Sequence, residues 1–433
     1  MGRWSWCSVL VVVTALGCPL AEPAGDGGAP DAGLPREVRV RVVGLAAEPD
    51  PAEGPDVDEL LPAADEARSD VEIVDVGLLP VEAGRAPVLE VDLPADAYAL
   101  FVVAYAQADV HVVLARAEGP GGAVLVDDVE PEGLSDGERA AGRGFPAQFF
   151  SDNRVLAARG VGAFQLPISP DVPFKPGTFR LEVGAYVVEE TPQGLRPVPD
   201  ERPIRVALVV RRGARPDEGV LDLALHLTGG DGLTAETAPE HMALQQALER
   251  VRDAYAQVGV RLGEVRYLDV ADPSLRTIVL EDDICEGGDL DALFAEAAPG
   301  DGSLHIFLVE RFRCTALGGI DLGQGMGGIA GGIPGPPLAA GTLRSGVAVA
   351  TAVFLDDAAA LSVVMAHETG HFLGLYHTRE NNLFGGPAIH DVISDTPEGE
   401  GARDNLMYFN PGTATRLTDG QGFVMRTSPW VRP

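Results

Sequence analysis

The chain has 433 residues, 46% of them hydrophobic, which is long for one domain and sufficient for two globular domains. Its 32 basic and 65 acidic residues give a formal net charge of −33 at pH 7. Because nucleic acids and anionic membrane surfaces are polyanions, this charge argues against both as partners.

The first 18 residues are typical of an export signal. Arg3 supplies a weakly positive start, and the apolar run at 4–16 is too short to span a bilayer. Gly17-Cys18 resembles a bacterial lipoprotein cleavage site, so Cys18 is the candidate for lipidation and a lipid anchor is the expected membrane contact. Plain secretion is the alternative. Residues 19–36, rich in Gly, Pro, Ala and Asp, are predicted to be a flexible linker, and the protein is expected in the bacterial cell envelope or outside the cell.

Residues 37–212 contain short β-forming runs separated by Gly and Pro turns. The predicted strands are 38–42, 100–103, 110–114, 179–183 and 204–210. This pattern indicates an all-β, sandwich-like domain, and latency, targeting and substrate binding are all open as its role. The charged segment 211–219 is predicted to link it to a second domain at 219–433.

The second domain is predicted to mix helices and strands. Strands are expected at 221–227, 260–270, 304–309 and 347–354, and an amphipathic helix at 239–258. The segment 318–337 is extremely rich in Gly and Pro and is either a flexible loop or a mobile wall of a cleft. Beyond residue 18 the cysteines are Cys285 and Cys314, which an exported protein is expected to join in a disulfide; two free thiols are the alternative.

Residues 356–371 are predicted to form a capped helix that carries a metal-binding pair. Asp356 and Asp357 are candidate N-caps, and apolar residues recur behind them at helical spacing. His367 and His371 are four residues apart and therefore project from one face of the helix. Two imidazoles in that arrangement can bind one metal ion.

A third ligand follows the helix. Gly374 allows the helix to stop and the chain to turn, so that His377 returns towards the pair. Three neutral nitrogens with one open position are typical of catalytic zinc, and Glu368 can reach that position as a general base for water. The whole pattern arises by chance in roughly 1 in 10^5 chains of this composition, which argues against incidental surface histidines.

The motif resembles the signature of the metzincin zinc endopeptidases, and within them the chain is most similar to the pappalysin (cytophagalysin) family. The stretches that carry this similarity are 373–378, 391–397 and 417–421. The resemblance implies an α+β catalytic domain with a mixed sheet and a long zinc-binding helix, and a protein or peptide substrate. It also implies that the strand at 304–309 lies near the edge that lines the cleft.

The same resemblance gives roles to a turn downstream of the third histidine. Met407 occupies the place of the methionine beneath the zinc, shaping the floor of the site without binding the metal. The family commonly has a tyrosine two residues after this methionine, where it can support the oxyanion. Here Phe409 occupies that place, and Tyr408, one position earlier, is the candidate.

Asp391, Asp395 and Thr396 resemble a family stretch near a calcium-binding loop. Carboxylate and carbonyl oxygens on one loop suit Ca²⁺, which takes six to eight oxygen ligands. The alternative is a turn network around Pro397.

These observations together predict an exported zinc endopeptidase. Two alternatives belong to other functional classes. One is a non-catalytic zinc-containing protein that binds peptides without cutting them. The other is an adhesion lipoprotein whose metallo-domain only processes its own chain, at the 211–219 linker.

Overall fold

The computed structural model describes residues 34–44, 55, 68–127, 157–172, 174–191, 194–280, 287–298, 302–316, 320–337, 341–352, 355–380, 389–410 and 412–433. The fold is mixed α+β and rich in sheet, as predicted. The predicted signal peptide with Cys18, most of the 19–36 linker, and Cys285 lie outside the described residues. Within the described ranges no helix is long and apolar enough to cross a bilayer.

The first eleven strands form two antiparallel sheets, which we call the sandwich. They are β1 (Arg39–Val42), β2 (Val71–Leu79), β3 (Leu89–Asp92), β4 (Ala97–Tyr105), β5 (His111–Glu118), β6 (Val124–Asp127), β7 (Ala158–Arg159), β8 (Val161–Leu166), β9 (Thr178–Thr191), β10 (Gly194–Pro199) and β11 (Ile204–Arg212). One sheet has the order β1-β3-β9-β5-β6, with β10 on β9 and β7 on β5; the other has the order β2-β11-β4-β8. All five strands predicted for this region are confirmed. Alternate apolar residues of both sheets fill one core between them.

The four-stranded sheet is buried on both faces. Residues of β4 such as Leu100 and Val102 face the sandwich core, whereas Phe101 and Tyr105 lie in a separate cluster on the outer face. Phe101 and Tyr105 are fully buried although they point away from the core. This outer face is therefore covered by another part of the chain, and strand alternation places Gln165 of β8 on it as well.

Strands β12–β23 and four helices form the second unit. The strands are β12 (Gly219–Leu227), β13 (Val260–Asp269), β14 (Thr277–Val279), β15 (Leu304–Val309), β16 (Arg311–Arg313), β17 (Thr315–Ala316), β18 (Ile320–Asp321), β19 (Gly328–Ala330), β20 (Val347–Ala350), β21 (Arg379–Glu380), β22 (Ile389–His390) and β23 (Val431–Arg432). The helices are α1 (Met242–Ala256), α2 (Asp289–Ala295), α3 (Ala358–Phe372) and α4 (Asp419–Thr427). The main sheet has the order β13-β12-β15-β20-β19, with β23 on β12, and α1 and α3 share its apolar core.

The sequence misplaced the edge of this sheet. The strand 304–309 is present as β15, but it lies in the middle of the sheet between β12 and β20, so its predicted position near the cleft-lining edge is wrong. The edge next to the zinc-motif helix is β19, which comes from the Gly- and Pro-rich segment and pairs antiparallel with β20. Because β19 is short and has two glycines nearby, its sequence shows little apolar periodicity. The sequence therefore indicated a loop at this place.

The predicted linker is shorter than expected. Arg211 and Arg212 belong to β11 and Gly219 begins β12, leaving 213–218 as the connection. Arg211 is fully buried, forms an ion pair with Asp70 at 2.9 Å, and donates to two backbone carbonyl oxygens at the C-terminal end of α4. An isolated buried guanidinium is costly, so its hydrogen bonds and ion pair fix this end of β11 in place.

Candidate metal centre

Helix α3 presents the first two histidines of the motif. Asp357 caps its N-terminus by accepting hydrogen bonds from the backbone N–H groups of Ala359 (3.0 Å) and Ala360 (3.1 Å), which confirms one of the two predicted caps. The helix ends at Phe372, one residue beyond the predicted end. Fifteen helical residues with a buried face hold the histidines more rigidly than a loop would.

Gly374 ends the helix in a left-handed conformation. Its φ is +101°, a value that residues with a Cβ rarely adopt. Its N–H donates to the carbonyl of His371 (2.8 Å) and that of Leu375 donates to Gly370 (3.0 Å), so the last turn is closed by backbone bonds. The chain then reverses and brings His377 back to the helix.

The three histidines converge. The Nε2 atoms of His367, His371 and His377 are 3.1 Å apart in all three pairs, and all three rings are buried. Three nitrogens bound to one zinc ion at 2.0–2.1 Å in tetrahedral geometry would be about 3.3 Å apart. A group of three or more His, Cys, Asp or Glu side chains can share one metal ion when their ligand atoms lie close together. Among the residues that the structure describes, these three histidines form such a group.

The Nδ1 atoms of two of these rings show whether the converging Nε2 atoms carry a proton. Nδ1 of His367 lies 2.7 Å from the carbonyl oxygen of Leu406, and Nδ1 of His371 lies 2.6 Å from that of Leu375. Each Nδ1 must carry the proton to donate to a carbonyl, so each Nε2 is an acceptor. Acceptor nitrogens at 3.1 Å repel one another unless a cation lies between them, and such backbone partners are typical of metal-binding histidines.

Burial keeps these imidazoles neutral. It lowers the pKa of His367 to about 3, with a further contribution from His377, against the opposing hydrogen bond to Leu406. Burial, together with His367 and His377, also lowers the pKa of His371 well below its ordinary value. Neutral imidazole is the form that binds metal ions, so the donor set fits zinc.

Glu368 follows His367 on α3 and packs against the edge strand β19. Its side chain is partly exposed and packs so closely on β19 that a Cβ at Gly328 would overlap it. Burial raises the pKa of Glu368 to about 8, and a hydrogen bond from the backbone of Ala330 opposes the rise. A carboxyl group with a pKa near neutrality can both take up and release a proton.

Met407 lies directly beneath the helix that carries the histidines. It is fully buried, and a Cβ at Gly370 would be only 2.7 Å from its sulfur. Its carbonyl accepts from the N–H of Thr378 at 2.9 Å, which ties the turn to the residue after His377. Together with the Leu406 carbonyl on His367, these contacts make residues 406–407 the floor of the cluster.

A buried pair of side-chain amides supports this floor, and the sequence analysis did not identify it. Asn405 and Gln421 exchange two hydrogen bonds, at 2.8 and 3.1 Å, and Asn405 Oδ1 also accepts from the N–H of Met407 at 2.8 Å. Gln421 in turn belongs to the capping box of α4 with Thr418. The available signal was the Thr-x-x-Gln spacing, within one of the stretches that resemble pappalysins.

The remaining predicted residues have more varied surroundings. Tyr408 is buried with its ring 4.6 Å from that of Phe409, and its oxyanion role stays a prediction. Thr396 donates to Asp391 at 2.6 Å, and Asp395 accepts from the N–H of Gly420 at 2.9 Å. These contacts are compatible with a turn network, and the calcium site stays a prediction.

The predicted disulfide is described at one end only. Cys314 is disulfide-bonded and buried. Cys285, its predicted partner, is outside the described residues, so the pairing stays a prediction.

The sequence matches no protein-family model and no curated protein. Among solved structures it is similar to metalloproteinase-II from Bacteroides fragilis, with 14% identity, 57% of this chain and 76% of that chain covered, and a TM-score of 0.27. It is also similar to the catalytic domain of a GH87 alpha-1,3-glucanase in complex with nigerose, with 12% identity, 56% and 42% coverage and a TM-score of 0.18. The chain thus spans less than half of that glucanase domain. With TM-scores this low, the function has to be argued from the site itself.

Proposed function

We propose that the protein is a zinc-dependent endopeptidase. The observation that carries the proposal is the convergence of the Nε2 atoms of His367, His371 and His377 to 3.1 Å from one another, with Glu368 next to His367 in the same helix. A bound zinc ion would supply Lewis-acid polarisation of the scissile carbonyl and a water of lowered pKa. Glu368 takes the proton from water and passes it to the leaving amine. His367 and His371 keep their orientation because their Nδ1 atoms are held by backbone carbonyls.

We further propose that an extended peptide binds along β19. Among the described strands, β19 pairs with β20 only, so its other edge is available for hydrogen bonds to a substrate backbone. Glu368 packs against this strand, so its side chain would lie beside the bound peptide. The proposal refines the sequence prediction of a cleft-lining strand by assigning that role to β19.

The finer classification is part of the proposal. Support for a metzincin of the pappalysin type comes from the zinc motif, the left-handed Gly374 and the buried Met407 beneath the helix. We propose a signal peptide at 1–18 that ends at Cys18, a linker at 19–36, a β-rich domain at 37–212 and a peptidase domain at 219–433. An exported protein of the bacterial cell envelope, lipid-anchored through Cys18 or secreted, fits these assignments.

The test is cleavage of a denatured protein substrate by purified wild type and Glu368→Gln, with and without a chelator, with zinc counted by elemental analysis. We expect about one zinc per chain in both proteins. Cleavage should be chelator-sensitive and confined to the wild type. Glu249→Gln, at an exposed helical carboxylate, is the matched control and should cleave normally. Zinc binding without cleavage by the wild type would instead favour a peptide-binding protein, and cleavage by Glu368→Gln at the wild-type rate would refute the general-base role.

A further inference from the structure

The outer face of the four-stranded sheet is in contact with the second unit next to residues 373–377, the turn that delivers His377, which we call the zinc turn. Gln165, on β8, is 3% exposed. Its Nε2 donates to the carbonyl of Val424 at 3.2 Å and to the hydroxyl of Thr427, both on α4. Arg211 on the same face donates to the carbonyls of Thr427 and Ser428. The sandwich therefore holds the C-terminal end of α4 through two buried polar side chains.

The other end of the Gln165 amide faces the turn that delivers His377. A Cβ at position 374 would overlap Oε1 of Gln165 and would lie 3.3 Å from Val424. The amide oxygen thus occupies the space that any side chain at 374 would need, and within the described residues it accepts no hydrogen bond. One side chain from the sandwich packs on Gly374 and, through its Nε2, fixes the helix that packs on the same glycine.

Gly374 is connected to the histidine cluster by hydrogen bonds of the residues next to it. The N–H of Leu375 bonds to Gly370, the carbonyl of Leu375 accepts from His371, and His377 follows two residues later. A shift of the turn would therefore change both the orientation of His371 and the position of His377. Displacements of this size matter, because metal ligands must be held within fractions of an ångström.

We propose that Gln165 is a positioning residue for the zinc turn, acting from the sandwich on Gly374 and hence on His371 and His377. The inference rests on the proposed zinc peptidase.

The test compares full-length Gln165→Met, Gln165→Ala and Asp291→Asn with the wild type. Methionine keeps the length of the side chain while removing its donors, so this variant folds even if the alanine variant does not. Asp291→Asn is the matched control, because it weakens the contact between Arg159 of the sandwich and α2, which carries no residue of the cluster. The first readout is hydrogen exchange of the Gly374 and Leu375 amides in zinc-free protein.

We expect these two amides to exchange at least about tenfold faster in Gln165→Met and to be unchanged in Asp291→Asn. In the second readout, chelator competition, zinc affinity should fall about tenfold in Gln165→Met only. Exchange rates within about twofold of wild type in both Gln165 variants would overturn the inference. That outcome is independent of activity, since a wild type that does not cleave would contradict the proposed function while the exchange readout still decides the role of Gln165.

Discussion

Two groups of buried histidines in the second unit differ in which ring nitrogens face each other. We call them the zinc triad (His367, His371 and His377) and the strand pair (His226 on β12 and His305 on β15). In the strand pair, Nε2 of His226 lies 2.8 Å from Nδ1 of His305, and one proton between them makes a normal hydrogen bond. In the zinc triad two Nδ1 atoms already donate to carbonyls, so acceptors face acceptors.

The rings of the two groups also pack differently. The His226 ring stacks on Phe307 with 4.4 Å between centroids, as an ordinary core side chain would. Two of the triad rings meet edge-on, at 85° for His367 and His371, which points their Nε2 atoms to a common centre. Burial of histidine is therefore not the mark of a metal site. The difference is that backbone carbonyls accept from Nδ1 of His367 and His371, so their Nε2 atoms can only accept although they lie 3.1 Å apart, an arrangement that a metal ion between them would stabilise.

The largest expected difference between the groups is in zinc binding. His371→Ala should lower zinc affinity by more than about a hundredfold, since even the loss of an outer-sphere partner costs 10–100-fold. His305→Ala should retain about one zinc per chain, because its ring takes part in packing. Elemental analysis and chelator competition measure both. Equal zinc loss in the two variants would contradict the distinction drawn here.

A substitution at Gly374, in the turn that brings His377 to the zinc triad, should have the second-largest effect. Gly374→Ala places a Cβ against Gln165 at a φ of +101°, so we expect it to lower the free energy of unfolding by about 2–5 kcal/mol. Gly399→Ala has a positive φ of +65° but open space around it, so it should cost about 1–2 kcal/mol. Denaturant unfolding of both variants separates backbone strain from overlap. Equal losses would show that contact with Gln165 is unimportant.

Loss of the Asn405 amide beneath the zinc triad should have a smaller effect. Asn405→Ala leaves Gln421 and the N–H of Met407 without their buried partner, which should cost about 1–3 kcal/mol of stability. Zinc affinity should fall about tenfold, because Leu406 holds His367. Gln257→Ala, at an exposed amide, is the control and should change stability by less than about 0.5 kcal/mol. Unchanged zinc affinity in Asn405→Ala would mean that the floor needs no amide support.

The strand pair should give the smallest signal. In a double-mutant cycle with His226→Leu and His305→Leu, the double variant should lose less stability than the sum of the single variants, with a coupling of about 0.5–1 kcal/mol. Each single change removes the hydrogen bond between the two rings but leaves the other ring nitrogen buried, whereas the double change removes both nitrogens. Thermal or denaturant unfolding provides the four free energies. Zinc content should be that of the wild type in all of them, and a loss in the double variant would place the pair within the metal centre.

The sequence by itself was enough to predict the three histidines that converge and eleven of the described strands and helices. Ligand spacing on a helix is a local property: His367 and His371 share a face because of the helical period, and Gly374 permits the turn because it lacks a Cβ. Five strands of the sandwich, together with β12, β13 and β15, likewise follow from short runs of β-forming residues; the five are β1, β4, β5, β9 and β11.

Only the tertiary structure decided which residues lie around those ligands. Sheet order made β19 the edge and β15 the centre, although β15 has the stronger strand pattern. Gln165 is 209 positions before Gly374 in the chain, and Asn405 meets Gln421 across a turn and a helix. Contacts of this kind depend on how whole elements pack. No short-range periodicity encodes them, so they emerge only when the chain has folded.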